Sequence, residues 1–230
     1  YSVYLFYQIN QNFFSNKFAI INSFIFSIIP LNIYTCGQIS SATIQLFLSL
    51  LFLKLLFLLV RNETQKNIIF FSIVCGLLIL AKGEFVIIFI LTLFFIFIGK
   101  KIKIINLIKI IITVFLVISP YVIRNYIHFN QVIIVKSLGY NLWKGNNQLS
   151  TVEGYGKFEI DEFKNLHYKV KNIKENKYYE INWDDIFLDE AINNLKKNPI
   201  KYTKLFFEKL FSFYFIDLES SYPNYYSFFH

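Results

Sequence analysis

The chain has 230 residues, 55% of them hydrophobic and 20% aromatic, and its 23 Lys and Arg against 15 Asp and Glu give a net charge of +8. A mean hydropathy of +0.46 is too apolar for an ordinary soluble domain, and the apolar residues are too often interrupted for a single span. The charge excess lies in the apolar half, with a net +7 over residues 1–123 and +1 over residues 124–230. A nucleic-acid binder would carry it on the polar half, so that class is excluded. There is no Met, and the chain opens inside an apolar run, so it reads as an internal or truncated piece.

In chain order, residues 1–9 read as the end of a helix, and 10–17 as a polar turn holding Lys17. Residues 18–34 form an apolar run broken late by Pro30, and 36–41 are small and polar. Residues 43–60 form a long apolar run, followed by a polar, net positive stretch over 61–66. Two shorter runs, 68–81 and 85–98, flank Lys82-Gly83-Glu84. Lys100, Lys101 and Lys103 precede the last run, 104–123. The pattern predicts an all-α polytopic membrane region over 1–123, with one partial and five complete spans, and a small, mainly helical external region over 124–230. The shorter runs rise only about 21 Å against roughly 30 Å of hydrocarbon, so spanning requires extension into their flanks. Spanning also sorts the cations. Lys17, Arg61, Lys66, Lys100, Lys101 and Lys103 fall on one side; residues 36–41, 82–84 and everything from Arg124 onward fall on the other. The positive-inside rule makes the first side cytoplasmic. Residues 124–230 then lie on the periplasmic or external face of a multi-pass plasma (inner) membrane protein.

Residues 119–147 are the hinge of this organisation. Pro120, then aromatics, then Arg124 are what a helix shows on leaving hydrocarbon for headgroups. Residues 139–147 mix Gly, Asn and aromatics and read as a loop able to offer N–H groups, amides and stacking rings to a polar, ring-shaped ligand. Residues 132–136 alternate weakly, as one strand would. Residues 157–182 show no clear period. Asn182 reads as the cap of a helix with Asp184 and Asp185 in its first turn, Lys196 and Lys197 in its last, and Trp183, Phe187, Ala191 and Leu195 on its apolar face. Pro199 starts another helix, with Tyr202, Leu205, Phe206, Leu210 and Phe213 as its apolar face. That helix is expected to lie along the membrane surface. Residues 217–230, rich in Tyr and Ser, carry no assignment.

Lys82, at the external end of a helix hairpin, is placed at phosphate-headgroup depth. It would pair with a lipid phosphate, or else anchor the interface or pair with Glu84. Arg124 has the same placement, and its guanidinium can grip phosphate oxygens bidentately; the alternative is a plain membrane-edge Arg. Trp143 with Asn141, Asn146 and Asn147 would stack on and hydrogen-bond a sugar, or else the Asn residues satisfy their own backbone. Cys36 and Cys75 form no paired motif and read as small buried hydrophobes. His128, His167 and His230 have no metal-ligand spacing. The chain has no nucleotide-type glycine loop. Lys54, inside a long run, reads as snorkelling.

Several motifs carry a resemblance. The "P-x-x-x-R-N-Y" of Pro120 to Tyr126 is followed by the "G-x-N-L-W-x-G-N-N" of Gly139 to Asn147. Pro30 to Tyr34 precedes Gly37-Gln38-Ile39-Ser40-Ser41-Ala42-Thr43. Gly76 to Lys82 reads "G-L-L-x-L-A-K", and Asn198-Pro199 precedes Lys209-Leu210. Together these resemble the C-type-fold (GT-C) membrane glycosyltransferases, in the branch of protein O-mannosyltransferases and aminoarabinose transferases. The resemblance implies a GT-C-like transmembrane bundle and a polyprenyl- or dolichyl-phosphate sugar as donor. It implies inverting transfer to an acceptor glycan, lipid or protein on the external face, with no cofactor named. It adds Asn125 to Lys82, Arg124, Asn141, Trp143, Asn146 and Asn147 as substrate-binding residues. The family's catalytic Asp lies upstream of Tyr1, so no catalytic residue falls within this sequence. Ala42 stands where the family often has Glu, which removes a carboxylate from a helix start. The rival class is a non-catalytic polytopic membrane protein, such as a transporter or flippase subunit with an external cap. Transporters carry ionisable groups at the midplane, whereas most of those here lie at span ends.

Overall fold

The computed structural model describes residues 1–37, 41–99 and 101–214, the last two in their backbone alone. Residues 38–40 of the Gly-Gln motif, Lys100, the side chain of Phe213 and residues 217–230 lie outside the described residues. The described residues are all α, with one short 3-10 turn, and contain no strand. The strand expected over 132–136 is therefore absent: that stretch is irregular chain without a ladder partner. The chain divides into two compact units, Tyr1–Ile134 and Val135–His230.

The first unit contains α1 (Ser2–Asn10), α2 (Asn16–Ile28), α3 (Pro30–Cys36), α4 (Ala42–Arg61), α5 (Gln65–Ala81), α6 (Phe85–Ile98) and α7 (Ile104–Phe129). Pro30 breaks the second apolar run into α2 and α3, which meet at 57°. By length and composition α4 and α7 are each able to cross a membrane, and the bent α2–α3 pair would make a third span. The 17 residues of α5 and 14 of α6 rise about 26 and 21 Å, short of roughly 30 Å. The outward faces are apolar: Phe95 is 79% exposed, Phe115 69% and Ile127 72%. Such faces suit lipid rather than water.

At the centre stands α5, with eight buried residues and only Ile69, Phe70 and Leu77 of its apolar run exposed. Ile68, Phe71, Val74, Cys75, Leu78 and Ile79 all sink into one core with residues of α4 and α7. α5 and α7 run parallel. At one end the Glu63 carboxylate accepts from the Lys103 N–H (2.8 Å) and the Asn106 amide (2.7 Å), and Lys109 donates to Gln65 (3.2 Å). Further along, Gly76 faces Val117 so closely that an added Cβ would lie 2.7 Å from the Val117 Cβ. A helix surface without a side chain there lets the two backbones approach. These contacts bring Arg61, Lys66, Lys101 and Lys103 to one end of the bundle, as the cation sorting expected of these four; no membrane side is assigned to that end.

The helix exit expected at Pro120 lies elsewhere. α7 runs on past Pro120 to Phe129 and ends on Asn130, whose φ of 53° is left-handed and whose N–H bonds Tyr126 O at 2.8 Å. Proline removes the N–H that would have bonded Leu116 O. The Ser119 hydroxyl supplies the replacement at 3.1 Å, which is why the helix survives.

The second unit contains α8 (Leu138–Gly145), a 3-10 turn (Asp161–Phe163), α9 (Lys164–Lys171), α10 (Tyr179–Lys197) and α11 (Pro199–Tyr214). Its core is aromatic: Trp143, Phe163 and Phe187 are buried with Leu166, Val170 and Ala191, and Tyr140, Phe158 and Trp183 pack against them. The loop expected over 139–147 is mostly helix, and its cap comes from far away in sequence. The Asp184 carboxylate, 1% exposed, accepts from the Gly139 N–H (3.0 Å) and the Tyr140 N–H (2.9 Å). These are two of the orphan donors of a helix N-terminus. Gly139 also lies so close to α10 that a Cβ would meet Asp184 O at 2.0 Å and Leu188 N at 2.8 Å. Asp184 is therefore not a first-turn acid of its own helix. α10 starts at Tyr179 rather than at an Asn182 cap, and Asp184 points across to α8. α11 starts at Pro199, as expected. Its Tyr202 and Leu205 are buried, while Ile200, Phe206, Phe207, Leu210 and Phe211 are exposed.

Candidate functional site

The seven candidate residues fall into two groups, one in each unit. In the first unit, Lys82 is the C-cap of α5 and lies 3.1 Å from the Glu84 carboxylate, both side chains being substantially exposed. Exposed pairs of this kind contribute little stability. Leu80 and Ala81 share a cluster with Val122 of α7, so Lys82 and Arg124 leave the bundle at the same end. Arg124 sits on the last turns of α7 rather than on a loop. Its Nη1 donates to Asn125 Oδ1 at 3.1 Å, and its guanidinium carbon is 5.8 Å from the Tyr121 ring centre. Asn125 is 4% exposed and donates to Ile133 O at 2.8 Å. Asn125 is thus structural support: it ties the chain after α7 back to the helix and fixes one edge of the Arg124 fork. The remaining guanidinium donors have no partner among the described residues, and Arg124 itself is exposed.

In the second unit, Trp143 is fully buried, with Phe187 at 5.0 Å and Phe163 at 5.1 Å between ring centres. Its ring has no open face to offer. Asn147 is also fully buried. Its amide donates to Trp143 O (3.1 Å) and Tyr155 O (2.7 Å), and its oxygen accepts from the Leu149 N–H (2.9 Å). Asn146 donates to Leu142 O at 2.9 Å. Both Asn residues therefore satisfy their own backbone, the alternative that an Asn-rich turn always carries. Asn141 alone of this group is exposed. The structure brings Arg124 and Asn125 into direct contact and gathers Trp143 and Asn147 into a core. Among the described residues no hydrogen bond or ion pair joins Lys82 to Arg124.

No family model, curated protein or solved structure matches this chain.

Among the described residues no three His, Cys, Asp or Glu side chains lie close enough to hold a metal ion. Shifted ionisations are few. The Asn106 amide, aided by the Lys103 N–H, holds the Glu63 carboxyl below its ordinary value. Burial lowers the Lys209 ammonium, which donates to Gly145 O, and raises the Tyr202 phenol. These three groups brace local structure rather than face an open cleft. Sequence reasoning missed Glu63 and the reach of Asp184. The only signal for either was an acid among residues of opposite or neutral character, which also describes an ordinary surface acid.

Proposed function

We propose that the chain is part of a polytopic membrane glycosyltransferase. It would take a sugar from a polyprenyl- or dolichyl-phosphate donor, with Arg124 holding the lipid phosphate at the external membrane face. The observation that carries this is Arg124 itself: an exposed guanidinium, braced on one edge by Asn125, near the end of an apolar helix long enough to span. A cation placed there before the reaction stabilises charge as it develops on the departing phosphate. Lys82, exposed at the same end, is the second candidate cation. In this reading Asn141 is the one residue of the second unit's group available to a sugar, and α11 lies along the membrane surface with its exposed aromatics toward lipid. The chemistry would be direct displacement of the lipid phosphate at the anomeric carbon, with inversion, by an acceptor hydroxyl or phosphate.

The test is sugar transfer in membranes holding the full-length protein at matched expression. Losing one charge-assisted bond costs about 1.5–3 kcal/mol, so Arg124→Gln is expected to reduce transfer about 10- to 100-fold. Arg124→Lys restores only part, because it keeps charge and loses the fork. Equal transfer by wild type and both variants removes the phosphate role.

A further inference from the structure

We propose that a groove between α4 and α6, distinct from the external end considered above, binds one acyl chain of an anionic phospholipid. The groove has a volume of about 390 Å³. Leu56, Phe57 and Val60 of α4 form one wall, and Ile88, Leu91 and Phe95 of α6 form the other. Thr92 is the one uncharged polar residue in the lining, and its hydroxyl already donates to Ile88 O at 2.7 Å. The surface is therefore apolar in effect. Lys101 is the single charged lining residue.

Three observations choose the occupant. First, the α4 wall lies in the last turns before Arg61, on a helix able to cross a membrane. It thus sits in the hydrocarbon of the leaflet at that end. From Ile88 to Ile96 the α6 wall rises about 12 Å, close to the roughly 15 Å depth of one leaflet. Second, both walls are apolar and the Thr92 hydroxyl is already bonded to Ile88 O, so the trough offers no hydrogen-bond partner to the backbone of an extended protein segment, whereas an acyl chain needs none. Third, the charge matches an anionic headgroup. Lys101 has no acidic partner among the described residues, and the nearby acid, Glu63, is held by the Lys103 N–H and Asn106. Arg61, Lys66 and Lys103 share that end of the bundle. A flexible ammonium at the edge of an apolar trough attracts a phosphate while the chain lies along the trough.

The test uses the full-length protein in nanodiscs containing phosphatidylglycerol or phosphatidylcholine, each carrying a mid-chain diazirine. Photolabelled peptides are mapped by mass spectrometry. Phosphatidylglycerol is expected to label residues 88–96 about fivefold more than phosphatidylcholine, the preference one lysine near the surface provides. Lys101→Gln removes the preference and Lys101→Arg keeps it. Thr92→Trp fills the trough and abolishes labelling there by both lipids. Since Lys101 is exposed, its variants leave the fold intact even if Thr92→Trp does not. Equal labelling by the two lipids in wild type, or an undiminished preference in Lys101→Gln, overturns the anionic site. Absence of label over 88–96 in wild type means that another protein segment or a second copy fills the groove, and overturns the proposal as a whole.

Discussion

Asp184→Ala tests the long-range cap on α8. The carboxylate is 1% exposed and accepts from two N–H groups, those of Gly139 and Tyr140. Removing it leaves both donors without a partner inside the α8–α10 contact, and each costs about 1–3 kcal/mol. Relief of the buried charge offsets part of this, so about 3 kcal/mol is expected. Small domains have only about 5–15 kcal/mol in total. With a urea dependence of about 2 kcal/mol per molar, the midpoint of the second unit falls by about 1.5 M. The intact protein reports this unit selectively, because its two tryptophans, Trp143 and Trp183, both belong to the second unit's aromatic cluster. Trp emission followed through a urea titration in detergent is therefore the assay. Asp184→Asn keeps one good acceptor and loses the charge, so its midpoint falls by roughly half as much. An Asp184→Ala midpoint equal to or above wild type would mean that desolvation of the carboxylate outweighs its bonds, and the capping argument fails.

Gly76→Ala places a methyl 2.7 Å from the Val117 side chain and is expected to destabilise the first unit by about 1–3 kcal/mol. Val117→Gly in the same chain removes the Cβ that the methyl meets and should restore part of it, net of the roughly 1 kcal/mol that a helical glycine costs, read as thermal stability in detergent; the absence of any rescue refutes the close α5–α7 approach. Glu63 carries an acid dependence. Its folded-state pKa is lowered, so its contribution is present above the unfolded value of about 4.3 and is lost as pH falls through the folded value. Protection of the Lys103 amide against hydrogen exchange, taken relative to its intrinsic rate, should fall over that range in wild type, and be low and independent of pH in Glu63→Ala, which has no acceptor. For α11, spin labels at positions 200, 207 and 211 in nanodiscs should favour oxygen over a water-soluble relaxant, and labels at 201 and 208 the reverse. The exposed apolar residues, from Phe206 round to Phe211, cover an arc of roughly 140°. Uniform access by the water-soluble relaxant removes the membrane-surface placement.

The apolar architecture was legible because it rests on local signals. The run 85–98 coincides with α6, Pro30 breaks its helix, and Pro199 opens one. Each signal acts within a few residues of itself. Misreadings arose where a distant partner decided the outcome. Gly139, Asn141, Asn146 and Asn147 have the composition of a turn. They fold as a helix and its exit because a carboxylate on α10 caps α8, and because Gly139 permits backbone contact that any other residue would forbid. Pro120 reads as a helix end; one hydroxyl from Ser119 lets α7 continue. Trp143 reads as a sugar platform from its neighbours in sequence, but its neighbours in space are Phe163 and Phe187. Arg124 was legible as a cation at a span end. That Asn125 would brace it depends on Ile133 O, and nothing in the sequence announces that bond.

The parallel pairing of α5 and α7 sets an order of events during synthesis. Two neighbours that run the same way cannot be a simple hairpin, so α6 must return the chain before they meet. The groups on α5 that await α7 include Gly76, whose lack of a side chain leaves its backbone bare. The last buried α7 residue of the shared core, Ile118, leaves the ribosome about 37 residues after Ala81. At about 5–20 residues per second, that is an interval of roughly 2–7 s. Throughout it the most central helix of the bundle is a short apolar segment of 17 residues without its principal neighbour. The insertion machinery, rather than the finished bundle, must shelter α5 during that time.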